Sequence, residues 1–483
     1  ESVLKFENTY SKLDNTFYSK LDPVKVKKPE LLIFNKLLSQ ELGINISVLK
    51  SQEIANLLSG NIILKSSDPI AQAYAGHQFG NFTILGDGRA ILLGEYVTSK
   101  GKRYDIQLKG SGITPYSRNG DGRAALGPML REYIISEAMF HLNIPTTRSL
   151  SVVKTGELVF RDEMLAGAIL TRVASSHIRV GTFQFASYKN NILLLNQLLE
   201  YTINRHFPLL KEADNKALEL LRVVALKQID LVVNWMRVGF IHGVMNTDNV
   251  SLCGETIDYG PCAFMDVYDP KTVFSSIDLN GRYAYLNQPG ITRWNLSRFA
   301  ESLTPLIDGK ANNAIEVMSE VINTFAEKYK KEWLKMMRKK LGLTGEELGD
   351  ENLIVDLLSW MHSNKADYTN TFYFLTTKNN LKNKIYSNQT FINWQNRWKE
   401  RLKSYGNSPG KSYELMFSSN PVVIPRNNIV EEALSSATER NDLTKVNDLL
   451  KIMQQSNLND SKLVSYQLAS KLVDEKYTTF CGT

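Results

Sequence analysis

The sequence predicts an α+β fold in two lobes, a strand-rich lobe followed by a helical one, with a helical extension behind them. Two observations carry this. Between residues 76 and 185 apolar and polar residues alternate in short runs separated by glycine-rich turns, the period of half-buried strands. From residue 186 to 310, and on through 311–483, the apolar positions recur at helical spacing instead. A chain of 483 residues is long for one domain, which suits such a division.

Residues 1–75 read as short helices and loops, with helix-like spacing over Glu30–Gln40 and Gln52–Ser59. The runs NFTIL (81–85) and AILLGEYV (90–97) flank Gly86-Asp87-Gly88-Arg89. That pattern predicts a hairpin, because Asp-Gly suits a type I′ turn. In DIQLK (105–109) Ile106 and Leu108 alternate with Asp105, Gln107 and Lys109, so Lys109 faces away from the apolar pair. A glycine-rich loop follows, and Pro128 opens a helix that Asn143 and Pro145 close. Further strands are expected at Ser149–Lys154, Leu158–Asp162 and Ala168–Val173. Ala217–Val238 has long apolar periodicity and leads into HGVMNTDN (242–249). Residues 430–450 read as an ordinary helix pair.

Composition narrows the function classes. With 43% hydrophobic and 22% charged residues the chain is ordinary globular protein. Its net charge of +7 is spread among acids, which argues against a nucleic-acid partner. No apolar run approaches the roughly 20 residues of a membrane span. Cys253, Cys262 and Cys481 have neither zinc spacing nor a disulfide framework, as a reducing compartment allows. The first residues, ESVLKFENTYSKLD, are unlike a signal or transit peptide. A cytoplasmic protein without membrane or nucleic-acid partners is the expectation.

The richest stretch is 242–260, HGVMNTDNVSLCGETIDYG. It holds an Asp-Asn pair, Asp248 and Asn249, and then Ile257-Asp258-Tyr259-Gly260. Protein kinases and their relatives use an Asn ending the catalytic loop and an Asp before Gly to hold a metal and a triphosphate. Hard oxygen ligands suit magnesium. No His-Arg-Asp precedes the Asn, however. If Asp248 and Asn249 are extended, their side chains point opposite ways, one to the reacting centre and one to metal. Asp258, on a short β-stretch (256–258), would complete the site. The plainer reading is an Asx-turn followed by a buried strand aspartate.

Upstream residues supply charge. Lys109 at a strand end can reach a phosphate as a point charge, although alone it would read as a solvated lysine. Glu132 and Glu137 are both candidate partners for it, and periodicity does not choose between them. Gly-Asp-Gly-Arg occurs twice, at 86–89 and 120–123, where backbone N–H groups can approach phosphate. Arg172 and Arg179, in LTRVASSHIRVG (170–181), offer planar forks for a polyphosphate, and the plain alternative is surface arginine.

These segments, with YAGHQFGNF (74–82), IPTTRSL (144–150), GRYAYLNQP (281–289) and WNLSRFAESLTPL (294–306), resemble the selenoprotein O family. The match is dense from about residue 70 to 310 and thin beyond. The resemblance implies a protein-kinase-like fold that binds ATP in a flipped orientation and transfers AMP to Ser, Thr or Tyr hydroxyls of proteins. It implies that Lys109 pairs with Glu132 and that Gly86, Gly88, Arg89, Asp121 and Gly122 line the nucleotide. By the same resemblance Arg172 and Arg179 hold phosphates, Asn249 and Asp258 ligate Mg2+ or Mn2+, and Asp248 is the base. It also implies targets in redox homeostasis. Cys481 fits a cysteine that family members carry near the C-terminus. Phe274 stands where some bacterial members have its disulfide partner, so that bond is not expected here.

Three other readings compete with AMP transfer. A conventional γ-phosphoryl kinase lacks its His-Arg-Asp here, and manganese-dependent UMP transfer stays open because no base-reading element in the sequence settles the nucleotide. A nucleotide-binding scaffold would have no need of a base and metal ligands.

Overall fold

The computed structural model describes residues 3–454, 461–469 and 477–479. Ten strands are found among them: β1 (Tyr18–Lys20), β2 (Glu30–Phe34), β3 (Ile70–Gln78), β4 (Asn81–Gly86), β5 (Ala90–Val97), β6 (Arg103–Lys109), β7 (Arg148–Phe160), β8 (Met164–Ala174), β9 (Phe240–Ile241) and β10 (Ala263–Phe264). The first eight form one sheet in the order β1-β3-β5-β6-β8-β7-β2, with β4 also paired to β3.

Alternation along β6 and β8 decides which face does what. Ile106 and Leu108 join Val173 and Ile169 in a core covered by α1 (Lys36–Leu42) and α2 (Ser51–Leu58). Asp105, Gln107 and Lys109 lie on the other face, and the register sets Gln107 opposite Arg172. The strand order therefore carries polar groups from two strands toward the helical lobe. On that side lies α3 (Leu126–His141), buried along most of its length; Asn143, at φ 61, turns the chain out of it.

The helical lobe begins with α4 (Val180–Tyr188), α5 (Ile192–His206) and the 23-residue α6 (Lys216–Val238). Asn215 caps α6 by accepting from Leu218 N, and Gly239 ends it at φ 76. The two-residue ribbon β9–β10 then holds the ends of the 242–262 loop together. Next comes α7 (Gln288–Ile307) and a run of further helices. Helix Asn427–Arg440 returns to pack on α3, with Arg131 and Glu431 paired at 2.8 Å. That helix and Thr444–Gln454 form the expected helix pair. Among the described residues no helix is long and apolar enough to cross a membrane.

Four local expectations change. Residues 1–75 are not only helices and loops: they supply β1, β2 and the start of β3, and Glu30–Gln40 splits into strand, Asn35 cap and helix. Gly86–Arg89 is not a hairpin turn. Both β4 and β5 pair with β3, and Asp87 N donates to Gln72 O at 2.9 Å, so the chain bulges and continues along the same edge. The hairpin is β3–β4, where Phe79 (φ 49) and Gly80 (φ 88) make the two-residue turn with positive φ at both central positions. Strands expected at 149–154 and 158–162 are one strand, β7, with an irregularity between Lys154 and Leu158.

Candidate active site

A cleft of about 800 Å³ opens between the sheet and the helical lobe. Gly86, Gly88, Arg89, Lys109, Asp121, Gly122, Arg172, Arg179, Asp248, Asn249 and Asp258 all line it. Glu132 sits behind them, fully buried.

Its floor is a charge cluster. Lys109 Nζ lies 2.9 Å from Glu132 Oε2 and 3.7 Å from Asp258 Oδ1. Arg172, only 2% exposed, donates to Glu132 Oε1 at 3.1 Å, to Asp258 Oδ1 at 2.6 Å and to Gln107 Oε1 at 2.8 Å. Arg179 pairs with Asp258 Oδ2, donates to the Asp248 carbonyl at 2.7 Å and lies over the Tyr74 ring at 4.7 Å. Three cations thus converge on two carboxylates. Burial would raise the Asp258 carboxyl, but Arg179, Arg172 and Lys109 hold it well below its usual range. Burial is likewise opposed at Glu132 by Lys109 and Arg172, which leave it lowered.

Glu137, the other candidate for Lys109, points elsewhere. Arg148 holds both its oxygens at 2.8 Å, and Asn35 adds a further hydrogen bond. It serves packing between α3, β7 and the start of α1.

The loop carrying Asp248 is anchored by the β3–β4 hairpin. Phe79 N donates to Asn246 Oδ1 at 3.0 Å, and His77 N to Thr247 Oγ1 at 2.6 Å. Gly76 lets the strand approach, since a Cβ there would collide with the Asp248 carboxyl. Thr247–Asn249 is a 3-10 turn, not the extended pair considered from sequence. Asp248 Oδ1 is buried without a hydrogen-bond partner among the described residues. Burial pushes its carboxyl up to about 7, with the Arg179 cation pulling the other way. Asn249 Nδ2 donates to Val244 O at 2.9 Å, which leaves its amide oxygen as the free end. Asp258 is not on a strand; it sits at φ 60, a left-handed conformation that side chains rarely adopt.

The two glycine loops meet above this floor. Gly112 N donates to Gly122 O at 2.9 Å, and a Cβ at Gly122 (φ 68) would overlap the Gly112 backbone. Gly110 N and Ser111 N both donate to Arg89 O, at 2.7 and 3.1 Å. Asp121 is held by Arg161 at 2.8 Å. Asp87, inside the first loop, is buried and pushed up to about 6 by burial, against Arg179 and the Gln72 N–H.

The donors fit a divalent ion. Asp258 and Asn249 bring hard oxygens to the lining of the cleft. Among the described residues no group of three His, Cys, Asp or Glu is arranged to hold a metal alone, so phosphate oxygens would complete the shell.

Sequence reasoning passed over Gln107, His177, Asp105 and Asn246. The first three join the buried polar network behind Arg172, and their signal was polar residues on the inward face of β6 and in the turn after β8. Phe274 packs against Tyr477 with ring centroids 5.7 Å apart. Cys253 and Cys262 are free thiols, and Cys481 lies outside the described residues.

A two-lobed α+β chain with a lysine–glutamate pair and an aspartate-bearing loop across one cleft has the plan of a kinase-like nucleotide enzyme. The chain belongs to the protein adenylyltransferase SelO family, whose model matches residues 2–454. It is 56% identical over 478 residues to "Protein nucleotidyltransferase YdiU" of Pelagibacter ubique, covering 99% of both chains. It is 53% identical over 479 residues to the protein of that name from Alcanivorax borkumensis, again covering 99% of both. The solved ROP2 of Toxoplasma gondii, a virulence factor with a protein-kinase fold and no enzymatic activity, overlaps 68% of this chain and 86% of its own. That likeness, at 8% identity and a TM-score of 0.25, bears on neither fold nor activity here.

Proposed function

We propose that this protein transfers AMP from ATP to hydroxyl side chains of other proteins and releases pyrophosphate. The observation that carries the reading is the convergence of Lys109, Arg172 and Arg179 on Asp258 at the floor of the cleft. Such a concentration of positive charge suits the β- and γ-phosphates, which become the leaving group when attack falls on the α-phosphorus. A nucleotide entering with its phosphates toward that floor leaves its α-phosphorus toward Asp248.

The acceptor oxygen attacks the α-phosphorus, the bond from that phosphorus to the bridging oxygen breaks, and pyrophosphate leaves with the electron pair. Asp248 takes the hydroxyl proton. A carboxylate pushed up to about 7 is matched to that task near neutral pH. Asn249 and Asp258 would hold Mg2+ or Mn2+, which supplies charge neutralisation at the phosphate oxygens. Lys109, fixed by Glu132, meets the phosphates as a point charge, while Arg172 and Arg179 present planar forks. The glycine loops line the nucleotide, where Gly86, Gly88 and Gly122 place no side chain in its way.

The test is label transfer to protein from ATP labelled at the α- or the γ-phosphate, with Mg2+ or Mn2+ and a cell extract as acceptor. Label from the α-position alone supports the reading. Transfer from the γ-position alone makes this a kinase and removes the role given to the two arginines.

A further inference from the structure

Behind the cleft, four buried side chains form an unbroken line. Arg205 NH2 donates to Asp105 Oδ1 at 2.6 Å. His177 Nδ1 lies 2.8 Å from Asp105 Oδ2, and the His177 backbone N–H reaches the same oxygen at 3.0 Å. Arg172 Nε donates to His177 Nε2 at 3.2 Å. Asp105, His177, Arg172 and Arg205 are each at most 4% exposed. Arg205 is fixed in turn by the Ser175 carbonyl at 2.7 Å and the Tyr201 hydroxyl at 2.9 Å.

The hydrogen positions follow from the donors. A guanidinium Nε can only donate, so His177 Nε2 must accept and its proton must reside on Nδ1, directed at Asp105. Protonation of both ring nitrogens would set N–H against N–H beside a permanent cation. With Nε on His177, NH2 on Gln107 and NH1 on Glu132 and Asp258, all three nitrogens of Arg172 are used. Of these contacts only the Asp258 one faces the open cleft. When phosphates arrive, that is the one to be exchanged, while the His177, Glu132 and Gln107 contacts keep the guanidinium in its orientation.

We propose that His177, oriented by Asp105, is a positioning residue that holds Arg172 in the orientation needed to grip the phosphates of the bound nucleotide. It does not touch the reacting atoms. This rests on the phosphate-holding role given to Arg172 above. The imidazole acts as a two-ended spacer, donating to the anion behind it and accepting from the cation in front. Carboxylate–imidazole pairs fix metal ligands by the same logic, setting tautomer and ring direction through the second nitrogen.

Two amide substitutions separate the ends of the spacer. His177→Gln places an acceptor near the Nε2 position and keeps the bond to Arg172. His177→Asn keeps a donor near the Nδ1 position for Asp105 and loses the bond to Arg172. Affinity for MgATP, measured by calorimetry without turnover, and the KM and kcat of AMP transfer are read together with the melting temperature.

The expected result is that His177→Asn weakens ATP binding and raises KM by roughly tenfold or more, the worth of a hydrogen bond to a charged group. His177→Gln should stay within a few-fold of the parent. Wild-type ATP affinity and KM in His177→Asn would overturn the proposal. So would the reverse ranking with losses tracking melting temperature alone, which marks a purely structural link to Asp105. Failure of the parent protein to transfer α-label would sink the functional reading, and the binding arm would still decide the role of His177.

Discussion

Lys109 Nζ and Glu132 Oε2 meet at 2.9 Å, joining the end of β6 to α3 at the floor of the cleft. The pair is partnered a second time, because Arg172 takes the other Glu132 oxygen at 3.1 Å. Losing Lys109 therefore leaves Glu132 paired, and the fold should survive. Lys109→Met is expected to cost roughly a hundredfold in kcat/KM for ATP with little change in melting temperature. Initial rates at varied ATP measure it, and an unchanged kcat/KM would remove Lys109 from the site.

Glu137 is the control. Its carboxylate is buried against Arg148, so Glu137→Ala leaves that guanidinium without its main partner. The expected loss of stability is about 3–5 kcal/mol, as for breaking a buried ion pair. Urea denaturation gives that number, and KM for ATP should not move in the folded protein. A shift in KM without loss of stability would exchange the roles of the two glutamates.

Asp258 is paired with three cations, Lys109, Arg172 and Arg179. Asp258→Asn should abolish metal-dependent transfer and lower the melting temperature, because Arg172 and Arg179 lose their shared anion. Free ATP without metal should then raise the melting temperature of the variant more than that of the parent, as phosphates replace the missing charge. Thermal shifts with ATP plus a chelator measure this. Equal shifts in both proteins would mean that the arginines do not meet the phosphates.

The pH dependence follows from Asp248. Its carboxyl is pushed up to about 7 in the folded chain, so the base form is lost as pH falls through that value. For the free enzyme, kcat/KM should fall about tenfold per pH unit below 7 and level off above it. The effect on stability has the opposite sense. A raised folded value means that the native state binds the proton more tightly, so this group's contribution is present at low pH and lost as pH rises through about 7. Asp248→Asn should be inactive, and more stable than the parent above pH 7. A flat kcat/KM profile between pH 6 and 8 would count against Asp248 as the base.

Much of this site was legible because its residues carry local signals. Lys109 could be placed on the face opposite Ile106 and Leu108 by alternation alone, and β6 has that geometry. The Asp-Asn pair and the Asp before Tyr-Gly stood out by spacing. What sequence could not supply was contact across elements. Glu132 and Glu137 lie on one helix and are both buried, and what tells them apart is distant in sequence: Lys109 and Arg172 at the first, Arg148 and Asn35 at the second. The Gly-Asp-Gly signal misled because a bulge and a hairpin demand the same residues; the real turn used Phe79-Gly80, and phenylalanine is a poor marker of positive φ. His177 was passed over because a lone histidine in a turn has no pattern, and its meaning comes from Asp105 on one side and Arg172 on the other.

The central claim is that the phosphates enter first, toward the three cations, so that AMP and not phosphate is transferred. Parallel reactions with α- and γ-labelled ATP, using the parent protein and the Asp258→Asn variant, test it most directly. The account predicts protein-bound label from the α-position only, absent in the variant. Protein-bound label from the γ-position only would contradict it.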